Sequence, residues 1–174
     1  MIVRRKHIRD LASQLLREAK TIRPPVPVEQ IARGKDVIIR KGRVEPEVSG
    51  FLYRNAARGK AIIGVNATQH KNRQRFTIAH ELGHLLLHAG DAVHVDAVKR
   101  RDHLSGKGTD IEEVESNLFA AELLMPIQFL KQDFDRFGIL DPLDEEKVAK
   151  LAGVYEVSNQ AMAVRLSNLG YLAT

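Results

Sequence analysis

The chain has 174 residues, is 44% hydrophobic and 28% charged, and contains no cysteine. That composition fits one compact globular domain, with or without a small appendage. It excludes disulfides and thiolate metal ligands, so any bound metal must sit on nitrogen and oxygen. The formal net charge of +5 attracts polyanions and acidic protein partners alike, or simply marks a solvated face. No apolar run approaches the ~20 residues that a membrane helix needs. The N-terminus lacks the continuous apolar core of a signal peptide, so a cytoplasmic location is expected.

Ile8, Leu11, Ala12, Leu15, Leu16 and Ala19 recur at helical spacing and predict an amphipathic helix over residues ~4–20. The prolines of "RPPVP" stop it. "PVEQIARG" reads as a short helix with Gly34 at its end. "DVIIR", "SGFLYR" and "KAIIGVN" read as three strands, the last two joined by a hairpin loop at "NAARG". Helices are expected over residues ~71–88 and ~110–124, with an irregular stretch between them that carries a short strand at "AVHVDAV". Pro126 opens a further helix, and two short helices follow at "DPLDEEKVAKLAG" and "VSNQAMAVRLSNLG". The expected fold is α+β: a small antiparallel or mixed sheet packed on the histidine helix and further helices. Residues 1–126 form the core of this division and residues 127–174 a C-terminal helical subdomain, in part like a helix-turn-helix.

"FTIAHELGHLLLH", Phe76 to His88, holds three of the seven histidines. On a helix, His80 and His84 stand one turn, ~6 Å, apart on one face, where two imidazoles can reach one ion. Glu81 lies on the rim of that face. In the pattern His-Glu-x-x-His, the glutamate is the general base toward the attacking water of a metal-dependent peptidase. Ile78, Leu82, Leu85 and Leu86 supply an apolar back for the helix.

A tetrahedral ion needs a third protein ligand and keeps one position open for catalysis. His88 is too distant on a regular helix, about 9 Å along the axis from the midpoint of the pair. A histidine six residues after the second is absent, since Gly90 stands there. The later helix offers Glu112, Glu113 and Glu115. Thr109 and Glu112 have capping-box spacing, and Glu115 faces Leu118 and Glu122. Glu113 ranks first as ligand because it shares a face with Asn117, which could orient a ligand histidine through its free ring nitrogen. Glu112 and Glu115 remain alternatives.

"RFTIAHELGHLLLH" followed by "EVESNLFAAELLMP" resembles the ImmA/IrrE family of metallopeptidases, and "PPVPVEQIA", "AIIGVN" and "VSNQAMAVRLSNLG" extend the resemblance over residues 8–172. The resemblance implies a gluzincin-like core with a small sheet beside the histidine helix. It implies a zinc endopeptidase, with Mn2+ or another divalent ion as alternative, that cleaves a helix-turn-helix transcriptional repressor and so derepresses genes. Carried over, His80, His84 and Glu113 are the metal ligands and Glu81 the catalytic glutamate. Larger members append a sensor-like domain, for which these 174 residues leave no room.

Tyr53, His88, His94, His103 and Tyr155 are the candidates for a donor to the developing oxyanion. His7 and His70 sit in polar stretches without an evident role. Arg73 and Arg75 read as a solvated turn or as partners of local carboxylates. An extended substrate is expected to pair with an edge strand, either Lys60–Asn66 or "SGFLYR". The rival to a peptidase is a metal-containing DNA- or partner-binding regulator, or a toxin-like member of a two-gene module. In it, Asn159, Gln160 and Arg165 would face a DNA groove after the N-cap Ser158. Direct DNA binding ranks second, because those last helices read better as a lid packing Leu151, Val154, Val157, Met162, Leu166 and Leu169 onto the core.

Overall fold

A computed structural model describes residues 2–55, 59–89, 92–97, 107–137 and 144–170. Among them, the chain forms α1 (Arg5–Glu18), α2 (Val28–Arg33), β1 (Val37–Gly42), β2 (Val48–Asn55), β3 (Lys60–Asn66), α3 (Lys71–Leu87), β4 (Val93–Ala97), α4 (Lys107–Leu124), α5 (Ile127–Phe137), α6 (Glu145–Tyr155) and α7 (Asn159–Asn168). The fold is α+β, with one four-stranded mixed sheet in the order β1-β3-β2-β4. β1 runs parallel to β3, while β2 runs antiparallel to both β3 and β4.

That order corrects one expectation. Neither Lys60–Asn66 nor "SGFLYR" is an edge strand; both are interior, and the edges are β1 and β4. The reason lies in β3 itself: Ala61, Ile63, Gly64, Val65 and Asn66 are all buried, and a strand covered on both faces belongs inside a sheet. β4 instead alternates, with Val93 and Val95 53% and 51% exposed.

α1 presents Ile8, Ala12, Leu15 and Leu16 to the core at the predicted spacing. α3 is different. Thr77 through His84 are buried without interruption, because the sheet, α2 and α4 surround the helix. Ile78 and Leu82 are fully buried, and Leu85 and Leu86 pack at the margin of the same cluster. α6 contributes Val148, Leu151, Ala152 and Tyr155 from one face, and α7 adds Met162 and Leu166. Val154 is a correction: it falls off the buried face of α6 and is 37% exposed. α6 also runs past Gly153 and ends at Glu156, which takes the left-handed conformation. Ser158 caps α7, its Oγ accepting from the Ala161 amide at 3.1 Å. No helix among the described residues is long and apolar enough to cross a membrane.

Candidate metal centre and active site

The site is made where α3 crosses α4. α3 is launched by His70, whose Nδ1 accepts from the Asn72 amide at 3.2 Å, so this histidine is an N-cap. Gly83 lies at the crossing. A Cβ there would stand 3.1 Å from Phe119 Cδ1 and 3.2 Å from the Ser116 Cα. The missing side chain thus lets the α4 backbone come close enough for Glu113 to reach the histidines.

Glu113 Oε2 lies 3.4 Å from His80 Nε2, and its Oε1 lies 3.2 Å from His84 Nε2. The two Nε2 atoms are 3.1 Å apart. Asn117 Oδ1 is 3.1 Å from His80 Nδ1. A carbonyl oxygen only accepts, so the proton sits on Nδ1 and the Nε2 lone pair turns toward Glu113. Burial alone would raise Glu113, but the closeness of His80 and His84 holds its carboxyl well below the usual range. His84 is lowered, chiefly by burial.

Beside this cluster, Glu81 is fully buried, and neither carboxylate oxygen has a hydrogen-bond partner among the described residues. Burial, with the charges of Asp96 and Glu113 adding to it and Arg54 opposing, pushes Glu81 up to about 9. A divalent cation on the neighbouring donors would reverse that local field. Arg54 also ties β2 to the end of α3, donating to the His84 carbonyl at 2.8 Å.

The other sequence candidates separate clearly. His94 enters the cluster from β4, its Nε2 3.4 Å from Glu113 Oε1 and its ring centroid 3.9 Å from that of His84. One donor atom each from His80, His84, His94 and Glu113 fall within 4.8 Å of one another. Sequence spacing gave no sign of this, because His94 lies on a different element and reaches the site only through sheet pairing. His88 is instead bonded to Glu115 at 3.0 Å, and Glu115 is held down to about 2, first by the Arg4 side chain. Tyr155 is buried and donates to Asp133 Oδ2 at 2.7 Å. Tyr53 is 37% exposed on β2, and His103 lies outside the described residues. α4 begins at Lys107, so Thr109 is within the first turn and not at the cap that was expected. Arg73 pairs with Asp96 at 3.5 Å and Arg75 with Glu156 at 3.3 Å, so both have carboxylate partners. His7 is exposed on α1.

Two further sites were not foreseen. A groove of about 690 Å³ is lined by Phe76, Asn117, Leu118, Ala121 and Met125, with Arg5 and Arg73 also contributing; it shares Asn117 with the cluster, but neither His80, Glu81, His84 nor Glu113 lines it. Arg165, which only the DNA-binding alternative would turn outward, is 3% exposed. Its guanidinium donates to Glu122 at 3.0 and 2.6 Å and to the Met125 carbonyl at 3.1 Å.

Imidazole nitrogens and a carboxylate at these separations, with unpartnered buried atoms on Glu81 and His94, suit a divalent cation. Residues 36–167 match the family described as the IrrE N-terminal-like domain, a family of peptidases. The chain is similar to the radiation response metalloprotease IrrE of Deinococcus radiodurans, 35% identical over 102 residues, which cover 57% of this chain and 26% of that protein. It is similar to the IrrE of Deinococcus deserti, 36% identical over 80 residues, covering 44% of this chain and 27% of that protein. It is also similar to the uncharacterized immunity region protein 2 of Bacillus phage phi105, 30% identical over 158 residues, covering 87% of this chain and 92% of that protein. The chain thus spans little more than a quarter of the Deinococcus proteins but nearly all of the phage one. Because the matched segment carries the histidine helix, the glutamate helix and the sheet, the chain belongs to the ImmA/IrrE family of metallopeptidases.

Proposed function

We propose that this protein is a zinc-dependent endopeptidase that cleaves a partner protein, a helix-turn-helix transcriptional repressor, and so releases the genes it holds silent. His80, His84 and Glu113 hold the metal, Asn117 orients His80, and Glu81 is the general base. When bound, the cation supplies Lewis acidity that polarises the scissile carbonyl and acidifies water. Zinc is the default for two imidazoles and a carboxylate, and manganese can use the same donors. Glu81 takes the proton of the attacking water onto its carboxylate and passes it to the leaving amine.

The observation that carries this reading is the Glu113 carboxylate lying between the two Nε2 atoms, with the unpartnered Glu81 carboxyl buried next to them. A protein substrate is supported by the groove that Asn117 joins to the cluster and by β4. The groove offers apolar walls with Arg5 and Arg73 among its lining. β4 offers an outer edge along which an extended chain can add a strand. A regulatory substrate is supported by the relatives' names, one of which refers to an immunity region and the others to a radiation response.

The rival, a DNA-binding regulator, loses one of its three proposed contacts, since Arg165 is committed to Glu122 inside the protein. The deciding experiment is incubation of the metal-loaded protein with a repressor encoded beside it, followed by mass spectrometry. Wild type should yield two fragments. Glu81→Gln should fold, hold metal and leave the partner whole. Equal cleavage by the Glu81→Gln protein sinks the mechanism.

A further inference from the structure

His94 does not fit a peptidase site ready for substrate. A catalytic metal keeps one position free of protein ligands, whereas a site with four protein donors is closed. With metal–ligand distances of 2.0–2.2 Å, a tetrahedral site has donors roughly 3.4 Å apart. The separations here are 3.1 Å for His80 to His84, 3.4 and 3.2 Å for Glu113 to those two, and 3.4 Å for His94 to Glu113. All four donors fall within 4.8 Å of one another. The Nε2 of His94 is buried and makes no hydrogen bond among the described residues.

We propose that His94 is a fourth protein ligand, so that strand β4 latches the metal centre shut and must withdraw His94 before a peptide bond can reach it. This rests on the peptidase reading above and adds its regulation.

The four donors are unequal in the way a latch requires. His80 and His84 come from the unbroken buried run of α3, with side chains 4% and 3% exposed, and Glu113 comes from the helix packed against it. His94 is 24% exposed and comes from a five-residue strand that, among the described residues, is at the sheet edge with one neighbour, β2. The pairing with β2 slips in register between Val48 and Gly50. Val93 and Val95 on either side are half exposed, so shifting the strand forfeits little apolar burial. The outer edge of β4, unpaired among the described residues, is also where an extended substrate would add. The strand that meets the substrate therefore carries the residue that blocks the metal, and strand addition and unlatching become one event.

Cobalt in place of zinc makes the coordination visible, since four-coordinate tetrahedral Co2+ absorbs far more strongly in the visible than five-coordinate Co2+. Wild type, His94→Ala and His94→Gln should each be loaded with Co2+, with stoichiometry, visible spectrum, azide response and cleavage of a partner protein measured. Wild type should bind one Co2+, absorb strongly and respond weakly to azide. Both variants should still bind one ion, with a changed visible spectrum as solvent takes the place of the imidazole, a strong azide response, and a dissociation constant raised by at least the ~10-fold that losing an outer partner costs. Their cleavage at saturating metal should be faster than that of wild type. Spectra and azide responses identical in all three proteins overturn the latch. If cleavage then falls about 100-fold or more, His94 is instead the donor to the developing oxyanion. Failure of wild type to bind Co2+ at all would overturn the metallopeptidase reading itself, a result separate from loss of the latch alone.

Discussion

At the scale of single residues, the candidate centre works by having each polar atom answered or deliberately left unanswered. Asn117 fixes the His80 tautomer through Nδ1, which points the Nε2 lone pair toward Glu113. Removing that contact by Asn117→Ala should weaken metal binding by roughly 10–100-fold, with the fold intact. Competition with a chromophoric chelator measures it, and an unchanged affinity would remove Asn117 from the support of the site. Glu81 has the opposite character. Both of its oxygens are buried and unpartnered among the described residues, a costly arrangement in a resting protein. Such an exception is reasonable where the group is held ready for a proton.

At the scale of elements, the distance between α3 and α4 decides whether Glu113 reaches the histidines. Gly83 sets that distance against the Ser116 backbone and the Phe119 ring. Gly83→Val should force the helices apart, costing about 1–3 kcal/mol of stability. Thermal denaturation and metal affinity should fall together; a variant as stable as wild type with full affinity would show that the crossing has slack. The outer end of α3 is tied separately. His88, Glu115 and Arg4 form a chain linking α3, α4 and the residue preceding α1, and Arg4 also donates to the Leu87 carbonyl at 3.1 Å. His88 thus has a structural occupation one turn beyond the site.

At the scale of the whole molecule, the metal should behave as a staple, because its candidate ligands come from α3, α4 and β4. A ligand that binds only the folded state at 100 times its Kd adds about 2.7 kcal/mol. Zinc should therefore raise the melting temperature and EDTA should lower it. Insensitivity to both would contradict a metal centre. The C-terminal helices are joined to the core by the buried Arg165–Glu122 pair. Arg165→Ala leaves Glu122, among the described residues, with the longer contact to Arg9 at 3.5 Å, and should cost about 3 kcal/mol. A DNA-contacting arginine would behave otherwise: stability would be kept, and the salt dependence of duplex binding would shift.

Much of this was legible along the chain, because helical period and turn chemistry act over a few residues. The spacing of His80, Glu81 and His84 places them on one helix wherever that helix lies, and Ser158 caps α7 through an atom three residues away. Even Glu113 could be ranked first, since its face is shared with Asn117. What depended on partners distant in sequence was not legible. A strand reads the same whether it is interior or at an edge, so the order β1-β3-β2-β4 had to come from the packed sheet. A basic residue on a short helix reads as solvated until a buried carboxylate from another helix, as Glu122 does for Arg165, meets it. His94 is the clearest case. Local sequence made it one of several histidines with a possible role, and only the pairing of β4 with β2 carries it across to Glu113, because the chemistry of a metal centre is set by convergence in space.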